Sequence, residues 1–270
     1  MLSLAINNHV NSLTIPVKIV SAEVNVDQKL REKGIKELIS IGHTTYYGSP
    51  SNRRHNIWVG TKKYNGLLVK QGEEFSFNEN LGVVEAYTGY LPELVIKGDE
   101  GTVPEYGGGL CQVSSTTYRA ALLAGLPITG RNPHSYAVSY YAQILGYGLD
   151  ATIYPGVSDI RFINDTPGDI LIQAYTENGN AYFKFYGTSD GRTIELEGPY
   201  ISNHTKAPAT LFIDTPELPP GVREKRDNAH NGFDTTWFRY ITKDGKTTKE
   251  KIFSRYKAIP EKIFVGIEKP

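Results

Sequence analysis

Apolar and polar positions along the chain predict mostly short strands with a few helices. Residues 13–25 alternate apolar and polar side chains and predict a strand, whereas residues 26–40 carry apolar side chains at helical spacing. Residues 42–54 are polar and predict a loop before a second helix at 54–66. Further strand-like patterns cover 67–82 with a turn at Gly72, 83–106, 135–142, 149–156 and 159–165.

Two later segments predict β-hairpins. In residues 170–187, two alternating runs flank a Glu-Asn-Gly-Asn turn, and in residues 236–266 a turn at Asp244-Gly245 separates two further runs. Residues 196–210 contain few long apolar runs and are predicted to be a linker.

Residues 105–128 differ from the strands around them. Three glycines precede Cys111, apolar residues then recur at helical spacing, and Gly125 predicts the end of a helix. The pattern therefore indicates an α+β fold, mostly β, in which a central helix bearing Cys111 packs on antiparallel strands. The predicted domains are a lead-in strand and helix at 1–40, a main domain at 41–195, and a linker with a small C-terminal β module at 196–270.

Composition excludes several classes of function. The chain has 29 basic and 29 acidic residues, and a net charge of zero argues against a dedicated nucleic-acid-binding protein. Its single cysteine excludes an internal disulfide and a cysteine-rich metal site, and the histidines stand at no recognisable ligand spacing. We therefore predict no metal and no cofactor.

The amino terminus leaves the cellular compartment open. No run reaches the ~20 apolar residues that span a bilayer, and no signal peptide precedes residue 20. Taken as complete, the chain would be cytoplasmic; taken as a fragment of a longer exported chain, it would belong to the cell envelope.

Cys111 is the residue that most strongly suggests chemistry. A helix N-terminus carries partial positive charge, which favours thiolate over thiol. Gly108 and Gly109 allow a tight turn and leave room for a substrate. Papain-like and transglutaminase-like enzymes place a cysteine nucleophile in this way, although a thiol at a buried helix start also packs well as a small apolar group.

A cysteine nucleophile needs a base and an orienting polar group. His134 and Asp150 follow Cys111 in the order of transglutaminase-like enzymes. If residues 134–141 and 150–157 formed a simple hairpin, however, Asp150 would lie ~20 Å from His134, and Asp159 would be the closer acid. Both carboxylates therefore remain candidates.

Polar side chains in the first turns of the predicted helix are candidate substrate-binding groups. Gln112, Ser114 and Ser115 are placed to cap the helix or to donate to an oxyanion. With Gly108, Gly109 and Tyr136, they make up the predicted substrate-binding set.

The run Tyr106-Gly-Gly-Gly-Leu-Cys-Gln-Val-Ser-Ser-Thr-Thr-Tyr118, followed by Pro133-His-Ser-Tyr136, strongly resembles the VanW family. The resemblance covers roughly residues 42–190. The segment containing Asp244-Gly-Lys246 is similar to the G-five domain of bacterial surface proteins, and residues 1–40 resemble the end of a preceding peptidoglycan-binding-type domain.

The resemblance implies a bacterial cell-envelope protein, exported in its longer relatives, without implying a known reaction. Together with the cysteine site, it predicts a hydrolase or acyl transferase acting on peptidoglycan or its stem peptides. The alternative is a non-catalytic module that binds the cell wall, in which tyrosines would stack on sugar rings. A further option is a structural surface protein.

Overall fold

The computed structural model describes residues 28–96 and 102–268 of the chain. The strand predicted at 13–25, and with it most of the predicted 1–40 lead-in, lies outside these residues. The α-helices within the described residues are α1 (Gln28–Glu32), α2 (Ser51–Lys62), α3 (Phe77–Leu81), α4 (Leu110–Leu123) and α5 (Ser139–Ala142).

The strands outnumber the helices. They are β1 (Glu37–Thr45), β2 (Leu67–Val69), β3 (Glu74–Ser76), β4 (Pro92–Ile96), β5 (Thr102–Tyr106), β6 (Ile128–Gly130), β7 (Arg161–Ile163), β8 (Ile170–Glu177), β9 (Asn180–Gly187), β10 (Thr193–Thr205), β11 (Leu211–Thr215), β12 (Arg223–Asp227), β13 (Gly232–Lys243), β14 (Lys246–Tyr256) and β15 (Lys262–Gly266). The prediction of an α+β fold that is mostly β is therefore confirmed.

Helix α4 packs on an antiparallel sheet of order β1-β9-β8-β2. Alternate residues of β9 are buried, including Phe183 and Phe185, so that one face of the sheet is apolar. Gly42 on β1 lets the strand approach the helix closely, because a Cβ there would lie 2.1 Å from the Thr116 carbonyl oxygen. The packing of strand against helix fixes α4 in the core.

The C-terminal third forms two further sheets, of order β10-β13-β14 and β11-β15-β12. The first lies against the core through buried side chains. Trp237 donates from Nε1 to the Tyr147 carbonyl at 2.7 Å. Arg239, 1% exposed, donates to the carbonyls of Leu122 and Leu126 at 3.1 Å each. The end of α4 is thus held by a side chain of β13.

Both predicted hairpins are confirmed. Strands β8 and β9 pair around residues 178–179, and β13 and β14 pair around Asp244-Gly245. The left-handed backbone at Asn178 and Asp244 (φ 47° and 50°) is the conformation that Asn-Gly and Asp-Gly turns favour. The predicted Cys111 helix also forms, as α4.

Other element predictions were wrong. In the segment 26–40, predicted to be one helix, the helix ends at Glu32 and β1 begins at Glu37. Strand β1 and helix α2 take up most of the loop predicted at 42–54. No strand forms at 135–142, where residues 139–142 are the short helix α5, and 149–156 make only isolated bridges. The predicted linker at 196–210 is largely β10, whose alternation was hidden because much of it is exposed on both faces.

Candidate functional site

Cys111 is the second residue of α4 and is half-buried. Gly109 lies directly before α4 and has φ 112°, a backbone conformation that mainly glycine adopts. A Cβ added at this position would lie 2.9 Å from Arg53 Cγ. At Gly108, an added Cβ would lie 2.7 Å from the Glu93 backbone. The glycines are therefore needed where the chain turns tightly into the helix.

His134 follows β6 and lies beside Cys111, with 3% of its surface exposed. Its backbone N–H and ring Nδ1 both bond Asp150 Oδ2, at 2.9 Å and 2.5 Å. The ring stacks on Tyr141 with centroids 4.7 Å apart. These contacts fix the ring and direct Nδ1 at the carboxylate, which leaves Nε2 for the thiol.

The thiol and the imidazole shift each other's protonation. Burial alone would raise the pKa of the Cys111 thiol, but hydrogen bonding and charge from His134 outweigh burial and hold the pKa below its ordinary value. Burial alone would lower the pKa of His134, but its bonds to Asp150 and Cys111 raise it to about 9. The arrangement favours a thiolate–imidazolium pair.

Two further groups act on the thiol. The Thr152 hydroxyl lies 3.7 Å from Cys111 Sγ, and hydrogen bonding from the Ile153 backbone and from Thr152 helps to lower the pKa of the thiol. These residues stand two and three positions after Asp150, so a single segment carries the carboxylate and the groups that stabilise the thiolate.

Asp150 is buried, with 3% of its surface exposed, and both oxygens have partners. Oδ1 accepts a hydrogen bond from the Tyr256 hydroxyl and lies 3.5 Å from Arg131 Nη2. Burial would raise the pKa of the carboxyl, but His134 first, then Arg131 and Tyr256, hold it well below its usual range. Asp150 is therefore a buried carboxylate facing His134.

The structure places Asp159 elsewhere. Its carboxylate accepts from the Ser76 hydroxyl at 2.7 Å and the Asn78 N–H at 2.9 Å, and pairs with Arg161. The hairpin that would have separated Asp150 from His134 does not form, because α5 lies between them. The chain therefore brings Cys111, His134 and Asp150 together.

The polar side chains predicted to bind substrate are used inside the protein. Gln112 accepts from Arg53 at 2.9 Å and donates to the Thr45 carbonyl at 3.1 Å, while Ser114 and Ser115 bond the backbone of Ala151. All three predicted side chains are fully buried. Their contacts hold α4 against β1 and the Asp150 segment, so the suggested oxyanion role does not fit.

The other predicted substrate-binding residues, Gly108, Gly109 and Tyr136, also make contacts within the protein. Gly108 and Gly109 form the turn into α4, where the Gly108 carbonyl accepts from Asn56 at 3.0 Å. Tyr136 is 9% exposed, and its ring lies over His230 with centroids 4.5 Å apart. Tyr136 therefore contacts the C-terminal segment.

Sequence reasoning missed the groups that surround the acid. Arg131, Tyr141 and Tyr256 have no spacing that relates them to Cys111, and Tyr256 stands 106 residues after Asp150. The only local signal is the Arg131-Asn-Pro-His134 run, in which Arg131 precedes the histidine by three residues.

Residues 28–96 and 102–268 lack two general features. No cluster of three or more His, Cys, Asp or Glu side chains there is arranged to hold a metal ion. None of the helices in these ranges has the length and apolar character needed to cross a bilayer.

A family model described as "VanW like protein" matches residues 52–186, half of the chain. The chain is 34% identical over 180 residues to "Uncharacterized protein YoaR" of Bacillus subtilis (strain 168), covering 64% of this chain and 57% of that protein. It is 33% identical over 118 residues to "Vancomycin B-type resistance protein VanW" of Enterococcus faecalis (strain ATCC 700802 / V583), covering 43% of this chain and 42% of that protein.

The chain thus spans about half the length of these two curated relatives. Among solved structures, "IgA1 Protease G5 domain structure" aligns with 31% of this chain and 100% of its own, at 13% identity and a TM-score of 0.19.

Proposed function

Since this chain belongs to the VanW family, we propose that it is a cell-envelope protein in which Cys111 is the nucleophile of an amide hydrolase or acyl transferase. His134 is the general acid and base, and Asp150 orients the imidazole. The proposed substrate is the stem peptide of peptidoglycan. The observation that carries the proposal is the hydrogen bond of the buried His134 ring to Asp150, together with the effect of His134 in lowering the pKa of the Cys111 thiol.

The proposed reaction has two steps. The Cys111 thiolate attacks the amide carbonyl carbon, the C–N bond breaks, and the His134 imidazolium gives its proton to the leaving amine. The resulting thioester is then attacked by water or by a second amine, with His134 taking the proton of the attacking group. The C–S bond breaks and the thiolate is restored.

Three features of the site support this chemistry. The pKa of the Cys111 thiol is lowered, chiefly by His134, which increases the fraction of the reactive thiolate. Cys111 is half-buried at the N-terminal end of α4, where the partial positive charge of the helix favours a thiolate. In the first turn of α4, the N–H groups of Leu110 and Gln112 already donate to the carbonyls of Gly107 and Gly109. With the side chains of Gln112, Ser114 and Ser115 excluded, the N–H of Cys111 itself is the candidate donor to an oxyanion.

The assignment to the cell envelope and to peptidoglycan comes from the family. The Enterococcus faecalis relative is named for vancomycin resistance. The predicted G-five-like segment at 196–270 and the predicted boundaries of the main domain at 41–195 belong to the same proposal.

The first experiment measures the rate at which iodoacetamide alkylates Cys111 as a function of pH. In the wild type we expect rapid labelling well below pH ~8.5, the ordinary thiol pKa, and a loss of this low-pH labelling in His134→Ala. Alkylation that follows an ordinary thiol and does not depend on His134 would contradict the proposal.

The second experiment incubates the protein with purified muropeptides and follows products by mass spectrometry, with Cys111→Ser as the matched control. We expect cleaved or cross-linked peptides with the wild type and none with the variant. If both proteins bind sacculi equally and neither forms product, the non-catalytic wall-binding module is the correct reading. Exposed rings such as Tyr47 and Tyr87, 81% and 80% exposed, are available for stacking on sugars in that case.

A further inference from the structure

Tyr256 connects the C-terminal sheet to the candidate site. It is the last residue of β14 and lies well beyond residue 186, where the match to the family model ends. Its side chain is 3% exposed, and its hydroxyl donates to Asp150 Oδ1. A residue outside the matched region thus contacts the acid of the proposed catalytic group.

The direction of this hydrogen bond is fixed by a second contact. The backbone N–H of Gly148 donates to the Tyr256 hydroxyl oxygen at 2.9 Å. A phenol has a single proton, so the hydroxyl accepts from Gly148 and gives its proton to the carboxylate. Its ring is held between Tyr147 and Phe233, with centroids 6.2 Å and 5.2 Å away.

Among the described residues, the Tyr256 hydroxyl is the group that hydrogen-bonds Oδ1 of Asp150. Oδ2 is occupied by the backbone N–H and ring of His134, whereas the remaining neighbour of Oδ1 is Arg131 at 3.5 Å. Without the Tyr256 hydroxyl, a buried carboxylate oxygen would lack a good hydrogen bond. The carboxylate would then turn towards Arg131 and away from His134.

The contact is part of a continuous junction. On either side of Tyr256, the Ser254 hydroxyl donates to the Gly148 carbonyl at 3.0 Å and the Lys257 N–H donates to the Ser135 carbonyl at 2.7 Å. Arg131 also donates to the Phe253 carbonyl at 3.2 Å. The end of β14 is therefore fixed to the segments that carry His134 and Asp150.

We propose that Tyr256 is a positioning residue that holds the Asp150 carboxylate against His134, so that the C-terminal sheet is a working part of the site. This inference rests on the proposed role of Cys111, His134 and Asp150. The loss of the hydroxyl weakens the His134–Asp150 bond, and the thiolate at Cys111 becomes less stable.

The test compares alkylation of Cys111 by iodoacetamide at pH ~6 in four proteins: wild type, Tyr256→Phe, Asp150→Asn and the double variant. Tyr256→Phe keeps the packed ring and removes only the hydroxyl. We expect labelling about three- to tenfold slower, equivalent to about half to one unit in the thiol pKa. The double variant should label at the same rate as Asp150→Asn, because Tyr256 acts through that carboxylate.

Tyr240→Phe is the matched control. It also removes a tyrosine hydroxyl that donates to a carboxylate, that of Glu197, within the same sheet, and it should leave the labelling rate unchanged. A purely structural role of Tyr256 would instead give effects that multiply in the double variant.

The two proposals fail in different ways. If wild-type Cys111 labels no faster than an ordinary thiol and His134→Ala changes nothing, the proposed function is wrong. If the wild type is activated but Tyr256→Phe labels within twofold of it, or the two single effects multiply, the role of Tyr256 alone is wrong.

Discussion

Gly42 offers a direct test of how α4 is held in the core. In Gly42→Ala, the new methyl group would lie 2.1 Å from the Thr116 carbonyl oxygen and 2.6 Å from the Ala120 nitrogen. Both are backbone atoms of α4, so no side-chain rotation relieves the overlap. The strand and the helix have to move apart.

The separation also strains two hydrogen bonds that flank Gly42 on β1. The Ser40 hydroxyl donates to the Ala120 carbonyl at 2.8 Å, and the Thr44 and Thr116 hydroxyls lie 2.6 Å apart. Overpacking a core costs about 1–3 kcal/mol, and each weakened hydrogen bond costs about 1 kcal/mol. Replacing glycine by alanine also stiffens the unfolded chain, which offsets about 0.4–1 kcal/mol of this loss. We expect the free energy of unfolding to fall by about 3–4 kcal/mol.

Urea unfolding followed by the fluorescence of the two tryptophans measures this change. Gly130→Ala is the control, since a Cβ there meets only the Arg161 side chain at 3.3 Å and 3.4 Å and the Asp159 carbonyl at 3.5 Å. It should lower the free energy of unfolding by less than about 1 kcal/mol. Equal losses in the two variants would refute the close packing of β1 on α4.

Two further predictions concern buried charges. Arg239→Met removes a hydrogen bond to the Leu122 carbonyl, which keeps the Gly125 N–H, and takes this donor from the Leu126 carbonyl. It should lower the free energy of unfolding by about 2–4 kcal/mol. Arg223→Met, at an exposed position, should change it by less than about 0.5 kcal/mol, and a comparable loss would count against this role of Arg239. The folded-state pKa of Asp150 is lowered, so its contribution to stability is present above the unfolded value of about 3.9 and is lost as pH falls through the folded value. The urea midpoint should therefore drop more between pH 7 and pH 3 in the wild type than in Asp150→Asn, and equal drops would contradict this.

Sequence patterns located the elements whose signals are local. The hairpins at 170–187 and 236–266 have turn residues between alternating runs, and α4 is marked by glycines on both sides of an apolar repeat. Strand β10 gave no such signal because much of it is exposed on both faces, so alternation is weak. Residues 149–156 are rich in strand-forming side chains but pack as an extended segment against Cys111 and Ser115.

In the candidate site, too, some residues could be predicted from the sequence and others could not. Cys111, His134 and Asp150 could be named from residue type and chain order, but the choice between Asp150 and Asp159 depended on a connection that sequence reasoning took for a hairpin. The roles of Gln112, Ser114 and Ser115 were also out of reach, since only the packed structure shows that neighbouring backbone groups occupy them. The role of Tyr256 could not be predicted from the sequence, because this residue contacts Asp150 only through long-range packing.

The hydrogen bond between Tyr256 and Asp150 also orders events during synthesis. It joins residues 106 positions apart, so a growing chain that already contains the thiol, the imidazole and the carboxylate still lacks this donor until β14 has left the ribosome. Contacts of such long range form late in folding. A nascent chain would therefore carry a less reactive thiol, and full reactivity would arise only after β14 has been synthesised and has paired with β13.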